Sequence, residues 1–167
     1  MTVALHLVRH ARAAERGPAY PDDALRPLVA KGAAQARALA LAWARMDVAV
    51  DVIATSPWLR AHATAQALAG RAGSLRVLDA LAQGDPAVCA RALRELTEAG
   101  AATIAAVGHE PWLSALASWL LTGDAGTVRT RFRKAATLTL TGELRAGGMV
   151  LEALVPARVV QALLRAR

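Results

Sequence analysis

Short apolar runs alternating with helical patterns constrain this chain more than any other feature of its sequence. Val3 to Val8 is apolar apart from His6, and is short enough for a strand buried on both faces. Similar runs return at Val50 to Thr55, Leu75 to Leu78 and Thr103 to Val107, each separated from the next by a helical stretch. Pro27 is expected to open the first helix, running to about Ala44 with Gly32 as a mild blemish. Ser56-Pro57 reads as a cap and first turn for a second helix that stops at Gly70. Asp85-Pro86 opens a third that stops at Gly100, and Gly108-His109-Glu110-Pro111 leads into a fourth ending near Leu121. Ala136 to Leu140 alternates in the period of a half-buried strand, Met149 to Val155 is its hairpin or neighbouring partner, and Pro156 opens a last helix to the chain end. The alternation predicts an α/β architecture, a three-layer αβα sandwich with a mainly parallel central sheet. With 167 residues and no repeat or linker, one domain over residues 1–167 is expected.

Composition narrows the function classes. The hydrophobic fraction of 55% argues against disorder, and no apolar stretch reaches the length of a membrane span. Met1-Thr2-Val3 has no basic segment of the secretory kind, and Arg9-His10 interrupts the apolar run, so a cytoplasmic setting is expected. Cys89, the one cysteine, cannot form an internal disulfide and reads as a small core residue. The formal net charge is +7, carried mostly by arginine, with Lys31 and Lys134 the two lysines. That balance suits anionic partners. The arginines are scattered and the aromatics few, so a nucleic-acid module is poorly supported.

In open α/β sheets ligands gather outside the carboxyl ends of the strands. Three polar sites fall there: Arg9-His10 after the first strand, Ser56 to Arg60 after the second, and Gly108-His109 after the fourth. A neutral imidazole at His10 is a competent nucleophile for a phosphoryl group. Arg9 and Arg60 supply planar, permanent charge that matches phosphate oxygens, and Arg60 lies in a first helical turn whose free N–H groups favour an anion. His109 is expected to donate to a phosphate oxygen as a second, protonated imidazole. Neither histidine has a carboxylate or cysteine at ligand spacing, so no metal and no cofactor are expected.

Arg9-His10, then Ser56-Pro57-Trp58-Leu59-Arg60-Ala61-His62-Ala63-Thr64-Ala65, then Val107-Gly108-His109-Glu110-Pro111, resemble the histidine phosphatase superfamily, the phosphoglycerate-mutase-like fold. Short length, Arg26-Pro27-Leu28-Val29-Ala30-Lys31-Gly32 and Gly84-Asp85-Pro86 make the chain similar to the SixA-type phosphohistidine phosphatases within it. The resemblance implies that His10 becomes phosphorylated while Arg9, Arg60 and His109 form the phosphate pocket. Two departures stand out. Ala11 occupies the position after Arg-His where the family usually has glycine, and alanine resists positive φ. Leu81-Ala82-Gln83 is the best match to a segment in which many members carry a glutamate as general acid; Gln83 donates no titrating proton.

A phosphohistidine leaves as imidazole and needs little help from an acid, so the missing glutamate points to protein phosphohistidine as preferred substrate. A small-molecule or aryl phosphomonoester is the alternative, and a non-catalytic basic binding module a more distant one. Arg12 and Arg26 either line the substrate entrance or belong to a solvated face. His6 reads as a hydrogen-bonded histidine of the strand, and His62 points away from the site. Glu110 either orients His109 or caps its helix. Trp43, Trp58, Trp112 and Trp119 are core at helical spacing, with Trp58 and Trp112 placed to wall the pocket.

Overall fold

The computed structural model describes residues 2–165, and its centre is one six-stranded sheet. The strands are β1 (Val3–Arg9), β2 (Val50–Thr55), β3 (Ala72–Val77), β4 (Thr103–Gly108), β5 (Thr137–Gly142) and β6 (Met149–Val155), in the order β3-β2-β4-β1-β5-β6. β3, β2, β4 and β1 are mutually parallel; β5 and β6 close the sheet as antiparallel strands. The sheet is therefore mixed, parallel where helices make the crossovers and antiparallel where β5 returns directly through β6.

Six helices cover it: α1 (Ala30–Arg45), α2 (Leu59–Leu68), α3 (Ala80–Gln83), α4 (Pro86–Glu98), α5 (Trp112–Thr122) and α6 (Ala157–Arg165). The alternation along β4 explains why both faces need cover. Ile104 and Ala106 pack with Leu93, Leu113, Leu116 and Leu120 on one side, and Ala105 and Val107 with Leu39, Trp43, Ala65 and Leu68 on the other. All four β4 residues are fully buried. Each leucine so buried contributes roughly 1.5–3 kcal/mol. The two layers are α3, α4 and α5 on one face and α1, α2 and α6 on the other, which is the αβα sandwich. Cys89 lies in the first layer, its thiol donating to the Ala80 carbonyl at 2.8 Å. Among the described residues, no helix is long and apolar enough to cross a membrane.

Several boundaries differ from the sequence expectation. α1 starts at Ala30 and not at Pro27, because Pro27 and Leu28 run extended beside the segment that follows β1: Ala14 N–H donates to the Pro27 carbonyl at 2.9 Å and Val29 N–H to the Arg12 carbonyl at 3.1 Å. α2 starts at Leu59, with Trp58 in the cap position, so Ser56 is free for another task. Gly70 does not cap α2 but sits in a 3₁₀ turn, Ala69–Arg71, that feeds straight into β3 at Ala72, earlier than the predicted Leu75. The last helix forms as Ala157–Arg165; residues 166–167 and Met1, which the expected helix end, N-terminal reading and domain limits take in, lie outside the described residues.

Gly32 is more than a blemish. A Cβ built there would lie 1.8 Å from the Arg12 carbonyl oxygen, so α1 meets the segment after β1 backbone to backbone. Gly32→Ala is expected to lower stability by about 1–3 kcal/mol or more, as overpacking against rigid backbone does. Chemical denaturation measures the loss, and phosphatase activity should fall with it, since Arg12 lies two residues beyond His10.

Candidate active site

The parallel strands deliver the polar residues to one edge. Arg9 is in register with Gly108, and Thr55 with Val107, so β1, β2 and β4 end side by side. The hydrogen bonding continues one residue past the strands: His10 N–H donates to the Gly108 carbonyl and Ser56 N–H to the Val107 carbonyl, both at 3.0 Å. His10, Ser56, Arg60 and His109 are all buried, although each carries a polar side chain. The His10 and His109 rings lie 5.1 Å apart, and Trp58 packs on His109 at 4.5 Å while carrying the Arg60 guanidinium 4.6 Å above its own ring. Trp58 does wall the site. Trp112 lies further out, against Gly84, where a Cβ would meet its ring at 2.5 Å.

Histidine 10 is held in one tautomer. Its Nδ1 lies 2.7 Å from the Ala11 carbonyl, an oxygen that can only accept, so Nδ1 carries the hydrogen and Nε2 keeps a lone pair. Burial first, then the charges of Arg60, Arg9 and Lys134, push the His10 pKa down to about 3 against the pull of that carbonyl. The ring is neutral at any physiological pH. Ala11 itself is buried, and the non-glycine residues at positive φ are Asp47 and Ala135 among the described residues, so alanine fits this turn without strain. Its N–H donates to Thr64 Oγ1 at 3.0 Å, and Thr64 in turn donates to the Arg60 carbonyl at 2.7 Å, tying α2 to the end of β1.

The expectation of a protonated His109 is corrected. Burial, then the neighbouring His10 and Arg60, lower its pKa to about 3. Its Nε2 lies 2.9 Å from Ser56 Oγ. The Ser56 hydroxyl has no other acceptor among the described residues, so its proton goes to Nε2, and the ring's own hydrogen sits on Nδ1. His109 can therefore donate to an anion without being charged. Glu110 does not orient it; its carboxylate accepts from Ser114 Oγ at 2.8 Å.

Among the described residues, three side-chain nitrogens are buried with no hydrogen-bond partner: Arg9 Nε, Arg60 Nε and His109 Nδ1. Buried donors are rarely left unpaired, and three gathered around His10 can together receive an anion. Three other nitrogens of the two guanidinium groups are engaged. Arg9 Nη1 donates to the Phe132 carbonyl at 2.7 Å, and Ala135 N–H donates back to the Arg9 carbonyl at 3.0 Å with its own φ at 56°. Arg60 Nη1 donates to the Asp23 carbonyl at 2.6 Å and Nη2 to the Asp23 carboxylate at 2.8 Å. Asp23 is the residue that the sequence reading missed. Its other carboxylate oxygen accepts from Arg26 Nε and Arg16 Nε, both at 2.7 Å. Against a desolvation that would raise it, these bonds from Arg26, Arg16 and Arg60 hold the Asp23 carboxyl well below the usual range.

The other candidates separate cleanly. Arg26 is not a free entrance residue, because Asp23 and the Ala14 carbonyl hold its guanidinium. Arg12 is exposed, and its backbone is engaged at both ends, the N–H by Gln35 Oε1 at 3.1 Å and the carbonyl by Val29 N–H, while its guanidinium has no partner among the described residues. His6 pairs with Thr139 Oγ1 at 3.0 Å and leans on Trp43, as a hydrogen-bonded strand residue should. Gln83 closes α3 with its side chain exposed. Among the described residues no three His, Cys, Asp or Glu side chains group as metal ligands.

Acid should unfold this protein by way of its site. His10 and His109 titrate near 6.5 when unfolded and near 3 when folded, so between those values the unfolded chain binds more protons. Their effect is a stability that falls as pH drops from about 6.5 toward 3. Asp23, with its carboxyl held low, adds stability above its unfolded value that is lost at still lower pH, in the same direction. Thermal melts across this range measure the slope, and His10→Ala should flatten it.

Residues 5–83 match the model of the histidine phosphatase superfamily (branch 1), a span that includes Arg9, His10 and Arg60 and stops short of His109. No curated protein matches the chain in sequence. Among solved structures, the protein histidine phosphatase SixA complexed with tungstate superposes with a TM-score of 0.80 at 24% identity, over 93% of this chain and 98% of that one. A putative phosphohistidine phosphatase SixA from Nakamurella multipartitia gives 0.76 at 25% identity, over 93% and 96% of the two chains. A putative alpha-ribazole-5'-P phosphatase from Escherichia coli K-12 gives 0.70 at 19% identity, over 93% and 97%. The family match over residues 5–83 and the shared architecture support the classification of this chain as a histidine phosphatase of the SixA-type build.

Proposed function

We propose that the chain, acting as one domain over residues 1–167, is a metal-independent phosphatase that works through a phosphohistidine at His10, with protein phosphohistidine as its preferred substrate. The observation that carries the reading is the fixed tautomer of His10, which leaves a neutral ring with its lone pair on Nε2. In the first step Nε2 forms a bond to phosphorus as the bond to the leaving group breaks, and the leaving group takes the electron pair. Arg9 Nε, Arg60 Nε and His109 Nδ1 would receive the equatorial oxygens, supplying the fixed positive charge on which phosphoryl transfer depends. In the second step water attacks phosphorus, the bond to Nε2 breaks, and inorganic phosphate departs with the lone pair restored to the ring.

Substrate choice follows from Gln83. An alkoxide needs a proton as it leaves, and a general acid contributes about 10²–10⁴-fold. An imidazole leaving group takes its proton from solvent through its distal nitrogen. The second reading, an aryl or small-molecule phosphomonoesterase, draws on the same observation, because a phenolate also leaves without an acid; a putative alpha-ribazole-5'-P phosphatase from E. coli shares the architecture.

Comparison of kcat/KM on a phosphohistidine peptide and on the matching phosphoserine peptide tests the choice. The phosphohistidine peptide is expected to lead by about 10²-fold or more, and Gln83→Glu to narrow the gap by raising phosphoserine turnover. Equal turnover of both by the unaltered protein would overturn the preference.

A further inference from the structure

Next to the site lies a groove of about 350 Å³ whose lining includes Arg12, Lys31, Arg133, Lys134 and Arg158, and no acidic side chain. Three separate parts of the chain build it: the exit of β1 with the start of α1, the 131–136 loop, and the start of α6. Five arginines elsewhere are held by carboxylates, Arg16, Arg26 and Arg60 on Asp23, Arg71 on Asp47 and Arg145 on Glu143. None of the five groove cations has a side-chain hydrogen bond or ion pair among the described residues. Burial and then the charges of Arg9, Arg12, Arg26 and Arg60 lower the Lys134 ammonium pKa, so the groove and the phosphate site share one positive field. The two are also joined covalently and by hydrogen bonds. Arg12 follows His10 by two residues, and the loop carrying Arg133 and Lys134 is pinned to Arg9 through the Phe132 carbonyl and Ala135 N–H.

We propose that this groove docks an acidic segment of the phosphorylated protein substrate, beside the residue whose phosphoryl group His10 takes. The inference rests on the protein-phosphatase reading above and adds a specificity surface to it. One phosphate dianion balances two charges, whereas five cations spread over three elements call for an extended acidic surface. The groove lining contains no aromatic side chain on which bases could stack, which favours carboxylates over a nucleic-acid strand.

Two phosphohistidine peptides, one flanked by glutamates and one by serines, test the proposal against the full-length protein and an Arg133→Glu/Arg158→Glu variant at low salt. The glutamate peptide should be turned over with a kcat/KM about tenfold above the serine peptide, and the double variant should erase that advantage. Hydrolysis of p-nitrophenyl phosphate reports on the phosphate site and the field it shares with the groove, and should fall in the variant by less than turnover of the glutamate peptide does. A binding measurement with the unphosphorylated glutamate peptide makes the groove testable without turnover, so failure of the phosphohistidine reading and failure of the groove are distinct results. Equal kcat/KM for the two peptides, unchanged glutamate-peptide binding in the variant, or a DNA oligonucleotide that outcompetes the glutamate peptide would each overturn the proposal.

Discussion

His10→Ala is expected to lower phosphatase activity by at least about 10⁴-fold and to remove the phosphoenzyme altogether. A fall of that size corresponds to roughly 5 kcal/mol of lost transition-state stabilisation, more than any one of the surrounding donors supplies. The reason lies in the division of labour. Arg9, Arg60 and His109 hold charge and hydrogen-bond donors in place, but Nε2 of His10 is the lone pair that the Ala11 carbonyl leaves exposed to a phosphorus atom. Incubation with a radiolabelled aryl phosphate, followed by rapid denaturation, should trap acid-labile, base-stable phosphate on the unaltered protein and none on the variant. The variant should keep its fold, because the ladder past β1 runs through the His10 backbone N–H and not its ring. Label retained by His10→Ala would assign the phosphoryl acceptor elsewhere.

Much of this site was legible in the sequence because strand ends are. An apolar run that breaks at Arg9-His10, another at Ser56 and a third at Gly108-His109 require only that the strands be parallel and neighbouring for the residues to meet. The registers of Arg9 with Gly108 and Thr55 with Val107 bring them together. What stayed hidden depends on chain segments with no period. Asp23 lies in a turn-rich stretch where any carboxylate reads as solvated, and its grip on Arg60 spans 37 residues. Arg16 and Arg26 flanking an acidic pair were the available signal. Gly32 looked like a poor helix residue because helix propensity carries no information about the backbone that crosses it. The charge on His109 was misjudged for a similar reason: an anion site suggests a cation, but burial beside His10 and Arg60 makes the neutral donor the cheaper state.

Arg60→Ala is expected to reduce kcat by about 10²–10³-fold, the loss that follows removal of one preorganised donor to a developing charge. Arg60→Lys should recover little of it. A lysine has one nitrogen for two tasks, whereas the guanidinium gives Nη1 and Nη2 to Asp23 and keeps Nε back. The fold should tolerate the loss of Arg60, because Asp23 retains Arg16 and Arg26. Loss of Asp23 is the harsher change for stability, since Asp23→Ala strands three guanidinium groups together, and its melting temperature should fall below that of Arg60→Ala. Asp23→Asn separates the carboxylate's two effects on catalysis. Removing a negative charge near the phosphate site should tighten inhibition by inorganic phosphate, while a looser Arg60 should lower kcat by about tenfold. That opposite movement of anion affinity and kcat is the signature of a positioning residue. If Asp23 were only a competitor for Arg60, Asp23→Asn would raise both, and steady-state kinetics with phosphate as inhibitor tell the two apart.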